Sequence, residues 1–237
     1  MNRLAIFDID GTLTDTNGVD DDCYRTTVAE ALGVAESAID WSGAAHVTDS
    51  EIFRFLSAAH RRSEPSADEM ASARSRFVDR LRAKLEQTPA RFTAIRGAST
   101  MLGRIAEHDW SVAVATGGWG PSARLKLAVA ELAIDDGVFA CADDGRSRAD
   151  IVRLAQGRAE AFYQRQFDRV VSIGDGEWDV RTAIELEMPF VGIGTGERAD
   201  RLRRSGAAIV LPDYSDLDAF MTALERARQP VLQGESS

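Results

Sequence analysis

The sequence predicts an α/β fold: a doubly wound parallel sheet carrying an inserted α-helical subdomain. Three observations predict it. Strand-like apolar runs recur at Leu4–Phe7, Ser111–Ala115, Val138–Cys141, Val170–Ile173, Phe190–Ile193 and Ala208–Leu211. Helical stretches separate the later runs, and strands that alternate with amphipathic helices imply parallel crossovers. The third observation is the long interval from about Asp15 to Arg91, which carries helical periodicity and no strand. Such an interval is too large for a loop in a compact domain. Residues 1–14 and 92–237 are therefore assigned to the α/β core, and residues 15–91 to the helical insertion.

The elements follow in order. Leu4-Ala5-Ile6-Phe7 is continuously apolar, the pattern of a strand buried on both faces. Within the insertion, Cys23–Leu32, Ser50–His60 and Asp68–Leu85 place apolar residues at helical spacing among charged ones. Thr48-Asp49 precedes the second of these as an N-cap pair. Asn17-Gly18 and the stretch Gln87–Thr93, with Pro89, are the expected hinges between the two units. After the second strand come the helices Pro121–Leu132, Ala149–Tyr163, Val180–Leu186, Arg198–Arg204 and Asp216–Arg226. No repeat or low-complexity segment interrupts the order, and the tail from Val231 to Ser237 is expected to fray.

The chemistry is concentrated where strands end. The first run stops in Asp8-Ile9-Asp10-Gly11-Thr12, two aspartates one residue apart before a glycine turn. If the strand ran on, both side chains would face one way. If the backbone leaves strand geometry at Gly11, both are aimed at the crevice beyond the carboxyl ends of the strands, where open parallel sheets keep their sites. Carboxylates that close repel when both are charged, which favours a bound cation or a shared proton. Two further strand ends carry polar motifs: Thr116-Gly117-Gly118 after Val112–Ala115, and Gly174-Asp175-Gly176-Glu177-Trp178-Asp179 after Val170–Ile173.

Together these segments resemble the motifs of the haloacid dehalogenase superfamily, most of whose members are magnesium-dependent phosphatases. The likeness spans Asp8 to Asp179. It implies a Rossmann-like core with a helical cap at residues 15–91, and an activity similar to the phosphoglycolate phosphatases. By resemblance, Asp8 is the nucleophile and Asp10 the acid/base. Asp10 also separates the chain from the superfamily's dehalogenases, which lack it. Mg²⁺ is the implied cofactor, with Asp8, the Asp10 carbonyl and Asp175 as ligands and Asp179 acting through a water or a neighbouring ligand. Mg²⁺ prefers hard oxygen donors and readily shares a phosphate. Read alone, Asp175 and Asp179 would be helix N-terminal acids.

Thr116 is placed to hydrogen-bond a phosphoryl oxygen, and the backbone of Gly117 and Gly118 to offer N–H groups at the Pro121 helix. The family's basic motif carries lysine; here the stretch reads Gly145-Arg146-Ser147-Arg148-Ala149-Asp150. An ungapped match gives Arg146 the lysine position, whereas Arg148, just after the capping residue Ser147, also reaches inward; Arg148 is preferred. Lys126, beside Arg124 and Leu125, reads as part of a solvated helix face, and Trp119 as a cleft-rim or solvent-shielding aromatic. His46 and Thr48 are the insertion residues expected to meet substrate. A phosphomutase of the β-phosphoglucomutase type is the nearest alternative, and a non-catalytic regulator is disfavoured because every acidic motif position is filled. A phosphonatase is disfavoured because the insertion's one lysine, Lys84, lies in a highly charged helix.

Composition is consistent with this. Of the 237 residues 44% are hydrophobic and 28% charged, as in an ordinary soluble chain. A net charge of −10 argues against nucleic acid or an anionic membrane as a main partner. The expected partner is a small phosphorylated metabolite, and the expected state a monomer or homodimer. Cys23 and Cys141 lie far apart without metal or redox spacing. With no leader-like or membrane-span-like run, a cytoplasmic location is expected.

Overall fold

Leu4, Ala5, Ile6 and Phe7 are almost wholly hidden from solvent, and their place at the centre of the sheet explains why. The computed structural model describes residues 1–231. It sets β1 (Arg3–Phe7) between β2 (Trp110–Ala115) and β4 (Arg169–Gly174). Outside β2 lies β3 (Phe139–Ala140); outside β4 lie β5 (Phe190–Ile193) and then β6 (Val210–Leu211). Every pairing is parallel, and Arg3–Phe7 runs in register with Trp110–Val114 on one side and Arg169–Ile173 on the other. The order 3-2-1-4-5-6 reverses direction at β1, and doubly wound sheets open their crevice at that point.

Alternation along β1 feeds two helical layers. Ala5 and Phe7 face a cluster that includes Leu127 of α5 (Gly120–Val129) and Phe220 of α9 (Leu217–Arg226). Leu4 and Ile6 face Ile151, Ala155 and Ala159 of α6 (Arg148–Tyr163). Two more helices, α7 (Glu177–Glu185) and α8 (Gly196–Arg204), pack around Phe190. The edge strands β3 and β6 are shorter than their apolar runs, because each pairs along one side only.

The insertion is built from α1 (Asn17–Leu32), α2 (Asp49–Arg61) and α3 (Ala67–Gln87). Helix α3 opens on a capping box in which Ser66 and Glu69 satisfy each other's backbone N–H groups. Helix α1 starts earlier than its apolar pattern, so Asn17 and Gly18 form its first turn rather than a hinge. The link from the core is the short segment at Asp15 and Thr16. A helix the periodicity did not reveal, α4 (Ala98–Arg104), buries only Ala98 and Met101, too few positions to register as a pattern. At the carboxyl end, Val231 N–H donates to Gly206 O; the rest of the tail lies outside the described residues. Among the described residues no helix is long and apolar enough to cross a membrane.

The insertion's own apolar cluster closes on a core residue. Val19, Tyr24, Val28, Phe53 and Phe77 pack with Trp119, which is fully buried. The Trp119 ring lies 5.5 Å from Tyr24 and 5.9 Å from Phe77, and its indole N–H donates to Ser50 Oγ at 2.8 Å. Trp119 is therefore not a rim residue but the wedge that joins the two units. Trp119→Ala is expected to cost about 3–5 kcal/mol of unfolding free energy in a urea titration. A loss under about 1 kcal/mol would mean that the joint does not depend on this ring.

Candidate active site

The loop after β1 is wound about one carbonyl: Thr12, Leu13 and Thr14 all direct their N–H groups at Ile9 O. Gly11 permits this with a φ of 76°, and a Cβ there would sit 2.1 Å from Asp175 Oδ2. Only glycine lets the β1 loop approach the β4 loop so closely. Asp8 N–H donates to Ile173 O at 2.9 Å, which continues the β1–β4 ladder up to the site.

Three acids meet at the carboxyl ends of β1 and β4. Carboxylate oxygens of Asp8, Asp175 and Asp179 lie within 4.8 Å of one another, and all three residues are buried. Burial, followed by the charge of Asp179, raises the Asp175 carboxyl to about 7 and pushes Asp8 well above the usual aspartate range. Asp179 is raised by burial against the opposing charge of Arg148. Asp175 Oδ2 receives Asn17 Nδ2 at 2.7 Å and Arg198 at 3.1 Å, while its Oδ1 is buried with no partner. An orphaned carboxylate oxygen beside two further carboxylates is a donor set that suits a hard divalent cation such as Mg²⁺. Asp10 does not join with its carboxylate, since both its oxygens are held elsewhere; its backbone carbonyl remains.

Arg148 and Arg146 lie in different surroundings. The Arg148 guanidinium donates from Nη1 to Asp179 Oδ1 at 2.9 Å and lies 3.5 Å from Asp8 Oδ1. Its Nε donates to Val47 O of the insertion at 2.8 Å. Gly117 makes room for it, because a Cβ there would fall 2.6 Å from Arg148 Nη2. Arg146 is mostly exposed and forms a two-pronged pair with Glu51 of α2, both contacts at 2.9 Å.

Thr116 is buried beside these groups, where its Oγ1 accepts from Gly118 N–H at 3.1 Å and keeps its own proton free to donate. The N-terminus of α5 is less open than the glycines suggest. Gly118 N–H is engaged by Thr116, Trp119 N–H by Asp49 and Gly120 N–H by Asp143.

The largest departure from expectation is Lys126. It is completely buried, and its Nζ lies 2.5 Å from both Asp10 Oδ2 and Asp20 Oδ1. Burial pulls its pKa down, but the two carboxylates outweigh that and raise it. Asp20, from α1, is raised to about 7 by burial and then by the charge of Asp10. The other Asp10 oxygen receives the Thr16 hydroxyl at 2.5 Å. Neither Lys126 nor Asp20 announces itself in the sequence, because both belong to ordinary charged helix stretches.

A cavity of about 350 Å³ covers Asp8 and Thr116 and is roofed by insertion residues including Asp20, Asp21, Tyr24, Trp41 and Asp49. Thr48 reaches this wall, but its hydroxyl caps α2 and donates to Arg146 O at 3.1 Å. His46 is exposed and lines a neighbouring cleft with Trp178 and Arg181. A larger cavity, about 680 Å³, lies at the amino ends of β1 and β2 beside Asn2 and Ser111 and holds none of the motif acids.

The crowded acids set a pH dependence. A carboxyl with a folded-state pKa near 7 and an unfolded value of 3.8 binds its proton more tightly when folded. The metal-free protein should therefore lose stability as pH rises from about 4 to about 7, on the order of 3 kcal/mol from Asp175 alone. Thermal melts in chelator at pH 5 and pH 7.5 check the sign, and Mg²⁺ should raise the melting temperature chiefly at the higher pH. Equal melting temperatures at both pH values in chelator would show that the acids are not crowded.

Residues 3–186 match the haloacid dehalogenase-like hydrolase family. No curated protein matches the sequence. Among solved structures the fold is similar to a hydrolase from Pseudomonas syringae, with a TM-score of 0.69 and 21% identity over 92% of this chain and 97% of that one. It is similar also to a protein from Bacteroides vulgatus assigned as a β-phosphoglucomutase, with a TM-score of 0.68 and 16% identity over 94% and 89%. A predicted phosphoglycolate phosphatase from Haemophilus somnus gives a TM-score of 0.57 and 14% identity over 92% and 97%. At these identities the structural likeness is one of fold. The family match covers most of the sequence and includes all four acids of the strand ends, so the chain belongs to the haloacid dehalogenase-like hydrolases.

Proposed function

We propose that this hydrolase is a Mg²⁺-dependent phosphatase that cleaves a small phosphomonoester through an aspartyl-phosphate on Asp8. The observation that carries this reading is the arrangement around Asp8: two more buried acids, one with an orphaned oxygen, and a guanidinium touching the nucleophile. Asp8, Asp175 and the Asp10 carbonyl would hold Mg²⁺, with Asp179 on a neighbouring ligand; when bound, it would offset charge on the transferred phosphoryl group. Asp8 attacks phosphorus as the ester P–O bond breaks, and Asp10 gives its proton to the departing oxygen. In the second half Asp10 takes a proton from the water that attacks phosphorus as the Asp8–phosphorus bond breaks, which frees Asp8 and releases phosphate. Thr116 donates its hydroxyl proton to a phosphoryl oxygen, and Arg148 balances the remaining charge.

The cavity wall narrows the substrate class. Its insertion side carries Asp20, Asp21 and Asp49, and among the residues lining that side there is no lysine, arginine or histidine. A neutral or positively charged leaving alcohol suits such a wall, whereas a carboxylate or a second phosphate finds no cation there to pair with. The same wall weighs against a phosphomutase, which must seat a sugar phosphate's own phosphate opposite the phosphorylated aspartate.

The test is turnover of phosphoethanolamine, glycerol phosphate, phosphoglycolate and hexose phosphates, with Mg²⁺ and then with chelator. Mg²⁺-dependent phosphate release, faster from the first two, is expected; preference for phosphoglycolate or interconversion of hexose phosphates would overturn the substrate class. Asp8→Asn should abolish release. Arg148→Ala should lower kcat/KM by about 10²–10³-fold if it meets the phosphoryl group, and Arg146→Ala by less than about twofold, as befits an exposed pair. The reverse ranking would return the basic role to Arg146.

A further inference from the structure

Lys126 takes no part in the steps above, yet it is buried against the residue that moves protons in them. We propose that Lys126 is the positioning residue for Asp10, fixing its carboxylate from the core and fastening it through Asp20 to the first turns of the insertion. The inference rests on the phosphatase reading, because it requires Asp10 to protonate the leaving oxygen.

The geometry is that of a clamp. Lys126 Nζ lies 2.5 Å from Asp10 Oδ2, and the Thr16 hydroxyl lies 2.5 Å from Asp10 Oδ1, so both oxygens are gripped from opposite units. Lys126 then reaches Asp20 Oδ1 at 2.5 Å with no exposure of its own side chain. Tying α5 to α1 does not require charge, since well-packed apolar residues replace buried ion groups without loss in many proteins. What charge adds is direction. An ammonium with three donors holds a carboxylate rotor at one angle, and a general acid must be within hydrogen-bond reach of the oxygen it protonates. In the step itself the Asp8–P bond forms and the ester P–O bond breaks. The Asp10 proton goes to the departing oxygen, while Lys126 neither gains nor loses a proton.

The experiment compares kcat/KM for p-nitrobenzyl phosphate with that for p-nitrophenyl phosphate, both with Mg²⁺. Nitrophenolate leaves without a proton and a benzylic alkoxide does not, so the ratio reads the acid at work. In Lys126→Met the ratio should fall on the order of a hundredfold, the lower end of what a positioned acid contributes. In an Asp10→Asn background, Lys126→Met should change the ratio no further. Should the single variant fail to fold through repulsion of Asp10 and Asp20, Lys126→Met/Asp20→Leu removes that repulsion and should show the same fall. Equal losses on both esters, an unchanged ratio, or a further fall in the Asp10→Asn background would overturn the inference and leave the phosphatase reading standing. Failure of the wild type to hydrolyse either ester would overturn that reading and the inference with it.

Discussion

Repulsion among carboxylates is the constraint around which this molecule is arranged. Strands β1 and β4 end side by side, and each delivers acids to the same few ångströms. Asp8, Asp175 and Asp179 are buried, and Asp10 and Asp20, both partly buried, share the fully buried Lys126 close by. Cations are brought in from three directions: Arg148 from the start of α6, Arg198 from α8 and Lys126 from α5. Their placement leaves Asp175 Oδ1 buried without a hydrogen-bond partner. Burial of charge is tolerated only where pairing is this close, so each cation's helix is held in register by the need to reach its acid.

The same constraint binds the insertion to the core. Asp49 at the head of α2 accepts Trp119 N–H at 2.8 Å and directs its own N–H at Gly117 O, so α2 begins on the loop that carries Thr116. Glu51 meets Arg146, and Asp20 meets Lys126. Apolar contact from the core comes from Trp119, Phe92 and Ala142, with Leu125 and Val129 packed against them, inside a cluster whose other members belong to the insertion. A joint made of a few apolar residues around the Trp119 wedge and several polar contacts resembles an interface between domains more than a continuous core.

The sheet and the acids were legible in the sequence because each rests on a local signal. A parallel strand buried on both faces must be apolar throughout, as Leu4–Phe7 is, and an abrupt switch to Asp-x-Asp-Gly marks its end. What stayed hidden depends on distance across the fold. Lys126 looked solvated because Arg124 and Leu125 flank it; the buried positions Ser122, Ala123, Lys126 and Leu127 show that its helix face points inward. That face includes a serine and a lysine, so an apolar count does not find it. Arg198 and Asn17 meet Asp175 only because α8 and α1 converge there. His46 illustrates the converse, a residue favoured for its chemistry that the chain leaves at the surface.

Arginine at position 148 gains meaning from the same geometry. A lysine ammonium is a compact point charge, whereas a guanidinium presents several donors in one plane. Arg148 uses that breadth: one nitrogen faces Val47 O of the insertion while another lies between Asp179 and Asp8. Asp8 and the insertion are thereby joined through one side chain, over the face of Trp178 at 5.4 Å. Such a span needs space, and Gly117 supplies it, since any side chain there would strike the guanidinium and Val47 O together. Glycine at 117 and arginine at 148 are thus two halves of one device. A lysine in place of Arg148 would keep the charge beside Asp8 but lose the planar reach that holds the insertion down at that point.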